Sequence, residues 1–402
     1  MQKKRRFLLF SILFLLVITT FALQTAGHEN LTLIQEPREI TLAQQFESIN
    51  DHESTEFNLI NSTLNGSIGM QDFEGDYALD YSADVVEIVV QFVTPPSEAF
   101  RISHERDIPM GGSFPGDSFE EQALMGHSVF REQLELIMPS APIIPFNAVQ
   151  MEIISANYLL FNGVFMRVSP NMVEQIASLP EVFAVFPNMS TSAPDIIPVG
   201  TETPEGGALN PNFMRETREL FNTNHIHNNM GLTGEGITVA VIDSGIYHDH
   251  PEFAPFRDPN TGRIPGFCFL RRIDDPSEVQ GQSDFGHGTH VSGIVAAISP
   301  GVNLRSYRVL GTGGTWLQIV NAIEAAHLSS DIMNLSIHSN QTNIHFFVNY
   351  SLNLAALADT VVVVIAGNFA TAALPPRLSV MASAGLPIVV GAGTAGGLFR
   401  PA

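Results

Sequence analysis

Three polar residues that follow apolar runs could do chemistry together. Asp243 follows "TVAVI" and precedes Ser244-Gly245, His287 stands in "DFGHGTHVSG" with His290 three residues on, and Asn368 follows "VVVVIAG". A carboxylate that orients an imidazole, with an amide donor aimed at a developing oxyanion, is the apparatus of acyl transfer through a serine. Other chemistries share parts of this pattern. Asp-Ser-Gly also opens the motif of paired-aspartate proteases, yet only one such triplet occurs and that mechanism needs two carboxylates sharing a proton. A zinc pair on a helix has its histidines four apart with a glutamate between, whereas Gly288 and Thr289 separate His287 from His290. His290 reads better as a buried, hydrogen-bonded histidine on the following turn. Taken alone, Asn368 has a helix cap or turn residue as its lesser alternative.

The elements that must position these residues are legible around them. "GITVAVIDSG", "NLRSYRVL", "DIMNLSI", "VVVVIAGN" and "LPIVVGA" are short, continuous apolar runs separated by helical segments. Such alternation predicts a parallel sheet covered on both faces, with its site at the carboxyl ends of the strands. One intervening helix is marked by Thr315 and Gln318 as a capping box, with Ile319, Val320, Ile323 and Ala326 facing inward. Gly288 and Gly293 would let the backbone pack closely where His287 opens another helix.

Upstream lies a different pattern. "VVEIVVQFV" (Val85 to Val93) predicts a buried strand ended by Pro95 and Pro96. Ser118 with Glu121 makes a capping box for a helix whose stripe is Phe130, Leu134 and Ile137. "VQMEIISANYLLF" and "GVFMRVS" predict two strands joined at Asn162-Gly163, a hairpin turn signal. Ser169 then caps a second helix with Pro170 at its first position and Met172, Val173, Ile176 and Leu179 on one face. "EVFAVFP" closes the block as a last strand. The order β-α-β-β-α-β is the ferredoxin-like plan, which by itself names no function.

Composition narrows the classes. The chain has 402 residues, a formal net charge of −22 and a single cysteine, Cys268. Such acidity argues against nucleic-acid partners and anionic membrane surfaces. One cysteine excludes an intramolecular disulfide and a cysteine-rich zinc site, so Cys268 reads as a small buried hydrophobe. Lys3, Lys4, Arg5 and Arg6 precede the apolar run Phe7 to Leu23, which predicts a secretory signal cleaved after Ala22 or Ala26; a retained membrane anchor is the alternative. Residues 27–83 are acidic and rich in Asn, Ser and Thr with weak periodicity, a loosely ordered leader. Residues 190–210, rich in Pro, Gly, Thr and Glu, suit an exposed linker and processing site.

"VAVIDSGI" followed about forty residues later by "GHGTHVSG", then by "MNLSI" and "AGN", resembles the subtilisin-like serine protease family in content, order and spacing. "FNGVFMRVSPNMVEQIASLPEVFAVFPN" likewise resembles the end of the inhibitor I9-like propeptide that precedes these proteases. The resemblance implies a secreted zymogen: signal peptide 1–26, leader 27–83, propeptide 84–189, linker 190–210 and an α/β parallel-sheet catalytic domain 211–402. It implies Asp243 as triad carboxylate, His287 as general base and Asn368 as side-chain oxyanion donor. Val309, Leu310, Gly311 and Gly313 on one side, and Leu335, Ser336 and Ile337 on the other, would pair with an extended protein substrate, with Gly367 beside them. No cofactor is required for this chemistry. The implied partners are protein or peptide substrates and the chain's own propeptide as inhibitor, with no nucleic acid and no stable membrane association after signal cleavage.

Several departures qualify the resemblance. "LSIHSN" puts His338 where a small residue would leave room for a side-chain pocket, so primary specificity is left open. Glu252, in "HDHPEF", stands where many relatives place a calcium-ligating aspartate; one carboxylate leaves structural calcium open. The sequence contains no Gly-Thr-Ser-Met-Ala segment to supply the nucleophile. "LSVMASAG" does not substitute for it, since Ser379 lacks the Gly-Thr lead, is followed by Val380 before Met381, and precedes the strand it should follow. The expectation is thus a catalytic domain incomplete at its C-terminus and a chain inactive on its own. The alternative is a non-catalytic product whose 84–189 domain binds or inhibits another subtilisin-like protease.

Overall fold

The computed structural model describes residues 83–106, 108, 118–137, 151–188, 214–282, 284–311, 314–337, 346–367 and 379–391. The signal, leader and linker readings, together with Gly313, His338 and Asn368, lie outside the described residues. No helix among the described residues is long and apolar enough to cross a membrane.

The N-terminal unit runs β1 (Val86–Phe92), α1 (Ser97–Glu105), α2 (Phe119–Ile137), β2 (Met151–Asn157), β3 (Gly163–Val168), α3 (Val173–Ala177) and β4 (Val182–Pro187). Its sheet is antiparallel in the order β2-β3-β1-β4. The expected β-α-β-β-α-β order holds with one added element, α1, in the stretch directly after Pro95-Pro96. The cap of α2 forms as predicted: the Ser118 N–H donates to Glu121 Oε2 at 2.9 Å and the Glu121 N–H to Ser118 Oγ at 3.1 Å.

Two local expectations are corrected. Ser169 makes no side-chain cap; Pro170 opens a 3-10 turn, Pro170–Met172, that leads into the short α3. Asn162-Gly163 is not a two-residue hairpin turn either, because β2 ends at Asn157 and pairs with Gly163 across a longer connection. Asn162 is buried and its amide donates to the carbonyls of Thr94, Pro95 and Ala123 at 2.9, 3.1 and 2.9 Å. Gly163 is fixed by close approach, since a Cβ there would sit 2.1 Å from the Val90 carbonyl oxygen.

The second unit adds α4 (Arg215–Leu220), α5 (Thr223–Met230), β5 (Thr238–Asp243), β6 (Gly266–Cys268), α6 (His287–Ile298), β7 (Asn303–Arg308), α7 (Trp316–Ser329), β8 (Ile332–Leu335), α8 (Phe346–Leu357), β9 (Val361–Ile365) and β10 (Ile388–Val390). Its six strands lie in the order β10-β9-β8-β5-β7-β6, every pair parallel. β5 is buried on both faces: Ala240 and Ile242 join one core cluster, Val239 and Val241 another that includes Val295 and Ala296 of α6. This two-sided burial is the physical reason for its unbroken apolar run. β6 was not among the predicted strands; it is three residues long and carries the buried Cys268. At the head of α7 both the Thr315 N–H and its hydroxyl donate to Gln318 Oε1, at 2.8 and 2.7 Å.

The two units share a core. On β1, Val86, Ile88, Val90 and Phe92 face Phe130, Leu134, Val173 and Ile176, while Val89 belongs to the cluster that contains α7 and α8. The antiparallel sheet is therefore covered by α2 and α3 on one face and by the second unit, together with α1, on the other. Phe161, Phe165 and Phe186 surround Phe347 of α8, with ring centroids 5.8, 6.2 and 5.3 Å away. Beside this apolar contact, Glu324 of α7 accepts from the N–H groups of Leu160 and Phe161 at 3.0 and 3.3 Å and from the Asn157 amide at 2.7 Å. Burial raises the Glu324 pKa, opposed by these hydrogen bonds.

Candidate functional site

The parallel register brings those predicted site residues that the structure describes to one edge. Asp243 is the last residue of β5 and stands level with Arg308 at the end of β7; β8 ends at Leu335 and β9 at Ile365. The segments 309–311, 336–337 and 366–367 thus leave neighbouring strands at the same end of the sheet as Asp243. The Asp243 carbonyl accepts from the N–H groups of Val309 and Leu310 at 2.9 and 3.3 Å, so it anchors the first of these segments directly. Val309, Leu310, Leu335 and Ile337 are buried, and Gly311 and Gly367 adopt positive φ of 137° and 115° as the chain turns off the strands. The buried Ser336 accepts from the Asn334 amide at 2.9 Å.

His287 is the first residue of α6, and its Nδ1–H donates to Asp243 Oδ1 at 2.6 Å. The same oxygen accepts from the Ser244 N–H at 2.7 Å. Asp243 is fully enclosed and the imidazole retains 12% exposure, so one partner is fixed in the interior and the other reaches the surface. With Nδ1 committed to the carboxylate, Nε2 is the nitrogen left to exchange a proton. Burial lowers the His287 pKa, but the charge and hydrogen bond of Asp243 outweigh it, with smaller help from Glu278 and Asp284, and the net shift is upward. His290 differs: burial, followed by the neighbouring His287 charge, lowers its pKa to about 4, so its ring is neutral at pH 7.

Close backbone approach holds the pair together. A Cβ on Gly288 would lie 2.2 Å from the Gly245 carbonyl oxygen, and backbone on both sides leaves little room to yield. Gly288→Ala is expected to cost about 2 kcal/mol by overpacking and to pull α6 away from Asp243. A urea midpoint equal to that of the unsubstituted protein would refute this.

Charged residues outside the predicted set also border the pair. Arg308 is buried, donating to the Ser277 carbonyl at 3.0 Å and to Gln282 Oε1. Asp284 is buried and its carboxyl is raised chiefly by that burial. Its carbonyl accepts from the His287 N–H at 3.2 Å. The available signal for Arg308 was its place: a charged residue at the end of an apolar strand, like Asp243. Glu252 stands in the first turn of a 3-10 helix, Pro251–Phe256, and no group of three His, Cys, Asp or Glu side chains among the described residues is arranged to hold a metal.

Residues 234–397 match the Subtilase family (Peptidase S8) profile. The chain is 29% identical over 265 residues to the minor extracellular protease Vpr of Bacillus subtilis (strain 168), covering 62% of this chain and 32% of Vpr. It is 30% identical over 151 residues to Thermitase of Thermoactinomyces vulgaris, covering 34% of this chain and 48% of Thermitase. Fervidolysin from Fervidobacterium pennivorans, described as a keratinolytic enzyme related to subtilisin, superposes with a TM-score of 0.41 at 17% identity, over 71% of this chain and 40% of that one. The chain thus spans between about a third and a half of the length of these relatives.

Proposed function

We propose that the chain is the precursor of a secreted subtilisin-like serine endopeptidase, with residues 1–26 as signal peptide, 84–189 as propeptide, 190–210 as the processing region and 211–402 as catalytic domain. The observation that carries this reading is the 2.6 Å Asp243–His287 hydrogen bond at the carboxyl end of a central parallel strand. Asp243 fixes the tautomer and stabilises the imidazolium; His287 Nε2 takes the proton of an attacking serine and returns it to the leaving amine. Asn368 would donate to the oxyanion, and the segments at 309–313 and 335–337 would pair with the substrate backbone, with Gly367 beside them. No metal enters these steps, and Glu252 alone does not make a calcium site.

The sequence holds no Gly-Thr-Ser-Met-Ala segment, so the 402-residue chain lacks the group that forms the acyl-enzyme. The chain as given is expected to leave a fluorogenic peptide uncleaved, whereas the chain extended by a Gly-Thr-Ser-Met-Ala-bearing segment turns it over. A folded extended chain without turnover would overturn the reading.

A second reading, in which the 84–189 unit serves as an inhibitor of another subtilisin-like protease, is favoured by one observation. Its Asn157, Leu160 and Phe161 satisfy the carboxylate of Glu324 on the second unit, as a docking module would. Failure of the 402-residue chain and of its N-terminal unit to slow such proteases would remove that option.

A further inference from the structure

We propose that Glu278 is a positioning residue: it staples the turn after Asp243 to the first turn of α6 and so holds His287 against Asp243. The name "positioning" rests on the catalytic reading above; the geometry stands without it.

A helix leaves its first N–H groups without intrahelical acceptors, and a side chain at the N-cap usually satisfies one or two of them. α6 has no such cap, because its N-cap is Gly286 at φ 93°. The acceptors come from elsewhere. Ser244 Oγ accepts from the Gly288 N–H at 2.8 Å, and Glu278 Oε1 lies 3.4 Å from the Thr289 N–H. Glu278 in turn gathers the groups that do this: Ser244 Oγ donates to its Oε1 at 2.6 Å and Thr289 Oγ1 to its Oε2 at 2.5 Å. Thr289 Oγ1 also accepts from the Tyr247 N–H at 2.8 Å, closing the link between the loop after Asp243 and the helix.

The backbone that carries Glu278 is itself fixed. Ile246 and Ser277 form an isolated parallel bridge, with the Ile246 N–H donating to the Pro276 carbonyl at 3.0 Å and the Glu278 N–H to the Ile246 carbonyl at 3.2 Å. Gly245 permits that approach, since a Cβ there would meet the Pro276 oxygen at 2.3 Å. A carboxylate at a helix N-terminus is also favoured by the helix dipole. The charged groups around His287 are Asp243, Asp284 and Glu278, with Arg308 beside Asp284, while the neighbouring titratable His290 is neutral at pH 7. Removing the Glu278 charge therefore acts on the imidazole both through position and through charge.

The test is Glu278→Gln in the 402-residue chain, read by proton and nitrogen NMR of the His287 ring. The amide keeps the size but cannot accept at both oxygens. The expected result is loss or broadening of the low-field Nδ1–H resonance and a fall in the His287 pKa, with the fold retained by circular dichroism. A folded variant with an unchanged Nδ1–H signal and pKa overturns the proposal, even if its melting temperature falls. Should Glu278→Gln not fold, Thr289→Val removes one strand of the staple and is judged by the same two signals. The catalytic reading fails differently: an unsubstituted chain whose His287 shows no low-field Nδ1–H has no Asp243–His287 pair for anything to position.

Discussion

Asp243→Asn is expected to reverse the direction in which His287 titrates. Burial already pushes the imidazole down, and chiefly the Asp243 charge and hydrogen bond, with smaller help from Glu278 and Asp284, lift it above the ordinary 6.5. At His290, one turn on, burial and the His287 charge together outweigh the pull of the Asp243 charge, and the pKa stands at about 4. Once the carboxylate becomes an amide, burial dominates and the His287 pKa falls below 6.5, as an NMR titration of its Cε1–H would show. A titration still above 6.5 in the folded variant would mean that Asp243 is not what raises it. The stability consequence has a definite sign. A raised folded-state pKa contributes stability that is fully present below 6.5 and is lost as pH rises through the folded value, so Asp243→Asn removes a contribution seen on the acid side. In a chain extended to carry the nucleophile, the same substitution should lower kcat roughly 10⁴-fold, because Nδ1 would no longer be held as the protonated nitrogen. Unchanged turnover would detach Asp243 from the chemistry.

The parts of this arrangement that were legible in the sequence share a cause. β5, β7, β8 and β9 lie inside a sheet buried on both faces, and that environment imposes the apolar runs from which their ends, and hence Asp243, were read. β1 gives a similar run for another reason: it belongs to an antiparallel sheet whose second face is covered by α7 and α8. The run announced two-sided burial and was silent about what supplied the cover. Asn162 was misread for a related reason, since its turn-forming amide is instead consumed by three carbonyls that only the tertiary fold brings together. β6 is too short to show a period. Glu278 left no local trace, because its hydroxyl partners lie 34 residues before it and 11 after it. Side chains that act through packing at a distance write little into their own neighbourhood, whereas strand ends do.

Phe347→Ala is expected to be the most damaging single truncation of the contact between the two units. Phe347 has no exposed surface and is ringed by Phe161, Phe165 and Phe186 from the N-terminal unit. Removing the ring forfeits its burial and opens a cavity that the three surrounding aromatic rings cannot readily fill, a loss of about 4 kcal/mol. The loss should fall on the docking of the units before it falls on either core, because β1 keeps Ile88, Val90 and Phe92 against Phe130 and Leu134, and β5 keeps Val239 and Val241 against α6. Glu324 makes the separation steeper. Its carboxylate is satisfied only while Asn157, Leu160 and Phe161 are in place, so loosening the aromatic contact also frees a buried acid whose pKa is already raised. Urea unfolding followed by the fluorescence of Trp316, which is buried at the head of α7, and by far-ultraviolet circular dichroism should therefore show two transitions where the unsubstituted protein shows one. A single coincident transition with an unchanged midpoint would show that Phe347 does not join the units.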